Sequence, residues 1–165
     1  YKSGRIGCIG NTDYMLVEFP MIDMPEDAMD IIYELQIRGV HPILAHPERY
    51  RYIIGNPSKI NEFLNEGCLL QVNTGSIKGI FGKKVKNTAR ILIKSGISSF
   101  IASDAHSMGG RRPGISTAIE MASEIDRGIC GRVEKNCEKL LENQLIDPPD
   151  NRIKEKKRIF SFFRA

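Results

Sequence analysis

Short apolar runs return along this chain at intervals of about 25 to 30 residues, separated by helix-like stretches that end in glycine, and that rhythm argues for parallel α/β architecture. The runs expected to be strands are 14–19, 42–45, 68–73 and 99–102, with a weaker opening strand over 5–9 before the turn residues Gly10 to Asp13. Helices are predicted over 25–39, 57–65, 83–94, 113–125 and 133–143. The first of these begins with Pro and acids, keeps apolar residues at helical spacing and closes on Gly39. Four or five strands are too few to close a barrel of seven or eight.

Three of the runs break in the same way. Glu18 interrupts the first near its end, His46 follows the second, and Phe100-Ile101-Ala102-Ser103 runs straight into Asp104-Ala105-His106. Alternate side chains of an extended segment share a face, so Asp104 and His106 would project together. A buried carboxylate without a partner is expensive, and a divalent cation satisfies carboxylate and imidazole together. An Asp capping the next turn beside a hydrogen-bonded His is the plainer reading of that segment alone. The threefold recurrence favours a shared metal site, because the C-terminal ends of parallel strands converge. Gln71 and Asn73 are placed at the same end, and as amides they suit a supporting role better than direct ligation.

With 165 residues, 41% of them apolar, the chain is long enough for one domain with its own core, taken as residues 1–150, followed by a tail over 151–165. No run approaches the roughly 20 apolar residues of a membrane span, and the first residues do not resemble a signal peptide, so a cytoplasmic location is expected. The four cysteines form no Cys-x-x-Cys pair, and reduced thiols are expected. None has an Arg six positions on, so the thiolate loop of cysteine-dependent phosphatases is lacking and phosphoryl chemistry would need a metal. The net charge of +4 misleads: residues 152–165 hold six bases against Glu155, a local +5, which leaves the preceding body at −1. A near-neutral body gives no support to nucleic-acid binding. The tail mixes those bases with aromatics, and a terminal helix packing Ile159, Phe160 and Phe163 onto the body is the simpler reading than contact with an anionic membrane.

Taken in order, Leu16-Val17-Glu18-Phe19-Pro20, Leu44-Ala45-His46-Pro47-Glu48-Arg49-Tyr50, Gln71-Val72-Asn73-Thr74-Gly75-Ser76 and Ala102-Ser103-Asp104-Ala105-His106-Ser107 resemble the bacterial protein-tyrosine phosphatases of capsule and exopolysaccharide synthesis, the CpsB/CapC/YwqE type. That family belongs to the polymerase and histidinol phosphatase (PHP) superfamily. The resemblance covers Tyr14 to about Leu145. It implies an incomplete distorted (β/α)7 TIM-like barrel, represented here by its C-terminal four to five strand-helix units. It further implies a manganese-preferring metal site, with zinc or iron as alternatives. By position, Glu18, His46, Asp104 and His106 would be metal ligands, and Arg49 and Arg111 would grip the phosphate. Glu48 and Tyr50 would pack and hydrogen-bond around Arg49, and His41 would be a loop residue.

The activity so implied is metal-assisted hydrolysis of a phosphotyrosine protein, with a membrane-associated bacterial tyrosine kinase as the expected partner. Family members begin with a His-x-His strand that this sequence does not contain, so an impaired or fragmentary chain is expected. An open sheet edge inviting homo-oligomerisation is expected with it. Two other readings stand beside this one: a non-catalytic phosphoprotein- or kinase-binding remnant, and another phosphatase of the superfamily such as a histidinol phosphatase.

Overall fold

The computed structural model of the protein describes residues 7–105 and 114–155. Strands β1 (Tyr14–Val17), β2 (His41–Ala45), β3 (Leu69–Asn73) and β4 (Phe100–Ala102) form one parallel sheet. Their spatial order is β1-β2-β3-β4, without the reversal of a doubly wound sheet. Register pairs Leu16 with Ile43, Leu44 with Leu70 and Val72 with Ile101.

Period-two alternation divides the apolar residues between two faces. Leu44, Leu70, Val72 and Ile101 face the main core, where Ala28 and Ile32 of helix α1 (Ala28–Gln36), Phe63 and Leu64 of α3 (Ile60–Asn65), and Ala89, Leu92 and Ile93 of α5 (Lys83–Lys94) pack against them. Tyr14, Ile43, Leu69 and Phe100 face the other way and are covered by Ile146 and Leu140, the latter on α7 (Ile129–Leu141). On that second face Leu16, one pleat further towards the strand ends, is 41% exposed. Apolar filling therefore gives way to an open, polar upper end.

Several elements differ from expectation. Residues 7–9 are not a strand. Pro47–Arg49 forms a 3-10 turn and Arg51–Gly55 a short helix, α2, where no element was predicted. A five-residue segment carries too little periodicity to declare itself. Helix α4 (Thr74–Lys78) likewise forms within a glycine-bearing stretch. Helix α6 is Ser116–Ser123, and α7 begins at Ile129, four residues before the expected start. His41 is no loop residue. It opens β2, its amide donates to the Asp13 carbonyl at 2.7 Å, and its ring packs on Tyr14 with centroids 5.0 Å apart.

Of the tail, Arg152 donates to the Asn65 side chain at 2.8 Å, the Ile153 amide donates to Asn61 Oδ1 at 3.0 Å, and Ile153 packs on the core. The segment thus starts as part of the body, while Ile159, Phe160 and Phe163 lie outside the described residues. No described helix is long and apolar enough to cross a membrane.

One residue ties the two ends of the body. The fully buried Tyr14 donates its hydroxyl to the Gln144 carbonyl at 2.6 Å and accepts from the Ile146 amide at 2.9 Å. Tyr14→Phe leaves both backbone groups without a partner, so chemical denaturation should show a loss of about 1–3 kcal/mol.

Candidate metal centre

All four strands deliver a polar side chain at their C-terminal ends. Glu18 follows β1, His46 follows β2, Asn73 ends β3, and Asp104 comes two residues after β4. The parallel register sets these ends side by side, which is why residues far apart in sequence form one rim.

His46 is 2% exposed, and its Nε2 stands 3.0 Å from Glu18 Oε1, whose side chain is half open to solvent. Nδ1 of the same ring is buried without a hydrogen-bond partner. The His46 amide donates to the Gln71 carbonyl at 2.8 Å, anchoring the strand exit to β3, and its ring meets Tyr50 edge-on. Tyr50 is buried, accepts from the Phe19 amide at 3.0 Å, and has its phenol pushed up to about 12 by burial.

Two strands away, Asp104 Oδ2 accepts from Asn73 Nδ2 at 2.9 Å and from Arg49 Nη1 at 3.3 Å. The guanidinium carbon of Arg49 lies 4.6 Å from the centroid of the Phe81 ring, a cation–π contact. Glu48 is fully buried and accepts the Asn73 amide at 3.0 Å. Burial pushes its carboxyl up to about 7 against the opposing pull of that hydrogen bond. Glu48 and Tyr50 thus brace Asn73 and Phe19 by hydrogen bonds, and the Arg49 charge acts on both.

The expected residues thus assemble as two groups on one rim, Glu18 with His46, and Asp104 with Arg49 and Asn73. The strands that lead into His46 and Asp104 lie two spacings, about 10 Å, apart. No cluster of three His, Cys, Asp or Glu forms among the described residues. His106 and Arg111 lie outside the described residues, and Gln71 contributes its backbone carbonyl, its side chain being half-buried.

The donor set fits a divalent ion. Glu18 Oε1 and His46 Nε2, 3.0 Å apart, are a carboxylate oxygen and a ring nitrogen that could both turn to one divalent ion, and His46 is held for it by its anchored strand exit. Moreover, His46 and Asp104 hold left-handed backbone at φ 36° and 51°. Such a conformation costs roughly 1–2 kcal/mol per non-glycine residue and concentrates at functional sites.

Phe81 was given no role at the site in the sequence, and Glu48 was expected only to support Arg49. Gly75 carries the one faint signal, because a Cβ there would sit 2.8 Å from Phe81 Cε2. Gly75→Ala should push the ring off Arg49 and weaken inorganic phosphate binding about 2- to 10-fold, measured by competition.

Acid, imidazole and guanidinium groups here gather at the C-terminal ends of parallel strands, the end at which α/β domains of this kind carry their functional residues. The chain belongs to the family described as capsular polysaccharide synthesis, CpsB/CapC, whose model matches residues 1–142. Among its relatives, the tyrosine-protein phosphatase YwqE of Bacillus subtilis is 34% identical over 156 residues, covering 94% of this chain and 61% of YwqE. The putative tyrosine-protein phosphatase CapC of Staphylococcus aureus is 39% identical over 67% of this chain and 43% of CapC. Crystal structures of YwqE from Bacillus subtilis and CpsB from Streptococcus pneumoniae are described as those of unique metal-dependent tyrosine phosphatases. A chain from that work matches with TM-score 0.80 and 33% identity over 90% of this chain and 61% of that one. The chain therefore spans less than two thirds of the length of these relatives.

Proposed function

We propose that this chain carries part of the active site of a metal-dependent protein-tyrosine phosphatase acting in capsule or exopolysaccharide synthesis. The observation that carries this reading is the single rim on which Glu18 meets His46 and Arg49 meets Asp104. Glu18, His46, Asp104 and His106 would hold divalent metal, manganese first, and Arg49 and Arg111 would hold the phosphoryl group. Gln71 and Asn73 would orient the ligands, and the unreversed strand order would suit an arc of a (β/α)7 barrel. The substrate would be a cytoplasmic phosphotyrosine protein, a tyrosine kinase of the membrane foremost, and the open sheet edge would allow a second copy to pair.

Bound metal would polarise the phosphoryl group and supply a nucleophilic oxygen at neutral pH. The protein's own part is electrostatic. Arg49, fixed by Phe81 beneath and Asp104 beside it, presents a planar fork that can bind two phosphoryl oxygens and offset the charge that develops on them. Holding the fork in place beforehand avoids ordering it during the reaction. A phenolate leaving group, with pKa about 10, needs little acid assistance, which suits an aryl phosphate.

The test is manganese-dependent release of phosphate from p-nitrophenyl phosphate and a phosphotyrosyl peptide, abolished in His46→Ala. Absence of hydrolysis in excess manganese, with phosphopeptide binding retained, would replace this reading by that of a non-catalytic binding module. Preference for a small alkyl phosphate such as histidinol phosphate would change the substrate class.

A further inference from the structure

Helix α5 carries five cations and no acid in twelve residues, Lys83, Lys84, Lys86, Arg90 and Lys94, on a body whose net charge is −1. All five are exposed, and none makes an ion pair among the described residues. Lys83, Lys86, Arg90 and Lys94 stand at spacings of 3, 4 and 4, so their side chains fall within about 80° of one another around the helix and form a single stripe. Thr88, Ala89, Leu92 and Ile93 occupy the buried face.

Like charges at i, i+4 oppose each other, as Lys86, Arg90 and Lys94 do, and lysines in the first turn oppose the helix dipole. A solvated helix face ordinarily mixes both signs. Glu124 lines the same cavity of about 210 Å³ as Lys86 and Arg90 without pairing with either. Among the described residues no ion pair compensates this charge, and an anionic partner is what would compensate it.

Placement says which partner. Phe81, under the guanidinium of Arg49, is two residues from Lys83, so the stripe starts within about 8 Å of chain from the ring that carries the phosphate-binding arginine. From there it runs about 16 Å along α5, the reach of about five residues of extended peptide. We infer that the stripe Lys83-Lys86-Arg90-Lys94 is a docking rail for an acidic segment of the substrate polypeptide, lying within about six residues of its phosphotyrosine. The inference rests on the phosphatase reading for the phosphotyrosine and on the stripe alone for the acids.

Three fluorescent peptides, measured by anisotropy with this chain in EDTA, test it: a phosphotyrosyl peptide flanked by Glu and Asp, one flanked by Ser and Gly, and the acidic peptide without phosphate. The acidic phosphopeptide should bind about tenfold tighter than the neutral one in low salt. That preference should fade towards unity as NaCl is raised and the Debye length shortens. The variant Lys83→Gln, Lys86→Gln, Arg90→Gln, Lys94→Gln should remove the preference.

Equal affinity of the wild type for the two phosphopeptides would overturn the rail, and this comparison needs no variant. So would binding of phosphatidylserine vesicles through the stripe with no discrimination between peptides. If instead the two acidic peptides bind equally well with and without phosphate, and both better than the neutral one, the rail stands and the phosphotyrosine reading falls.

Discussion

Asp104→Ala should weaken manganese uptake by at least about 100-fold in titration calorimetry, the largest effect expected of any single change at the rim. The carboxylate faces Arg49, and its Oδ2 takes hydrogen bonds from both Arg49 and Asn73. Removing it costs the metal a charged donor and leaves a guanidinium with no counter-charge where a cation is to bind. Coulomb attraction between a carboxylate and a cation is thus replaced by repulsion between two cations. Asp104→Asn separates the two effects, since it keeps an oxygen for the Asn73 amide and loses only the charge. It should still fail to bind manganese tightly. Uptake unchanged in both variants would remove Asp104 from the metal site.

Phe63→Ala should cost about 3–5 kcal/mol in urea unfolding, because the ring is fully buried and its removal leaves a cavity that rigid neighbours fill only in part. The loss should extend to the rim. Phe63 packs on Phe19 with ring centroids 5.7 Å apart, and the Phe19 amide is held by the Tyr50 hydroxyl immediately after Glu18. A loosened Phe19 gives Glu18 more freedom, so manganese affinity should fall several-fold even where the protein remains folded. A drop in stability with wild-type manganese affinity would show that Glu18 is positioned by its strand alone.

Much of the architecture was legible because it is local. Helix α5 was read end to end, Lys83–Lys94, since its apolar residues repeat at helical spacing and Gly96 follows. The core of each strand was read from apolar runs bounded by turn residues. His41 was misread because a Gly-Val-His-Pro sequence looks like a connection, whereas its amide bond to Asp13 and its contact with the Tyr14 ring come from a neighbouring strand. The short helices α2 and α4 escaped notice because five residues give hardly more than one turn of pattern.

By itself the sequence determined that Glu18, His46, Asn73 and Asp104 stand at strand exits, since period and chain direction follow from consecutive residues. Only the tertiary structure decided who meets whom: Glu18 turns to His46, Asp104 turns to Arg49 and Asn73, Phe81 lies under Arg49, and Glu48 is sealed beneath the rim. Those pairings depend on the register of parallel strands and on side chains separated by up to 55 positions, and no local pattern encodes either.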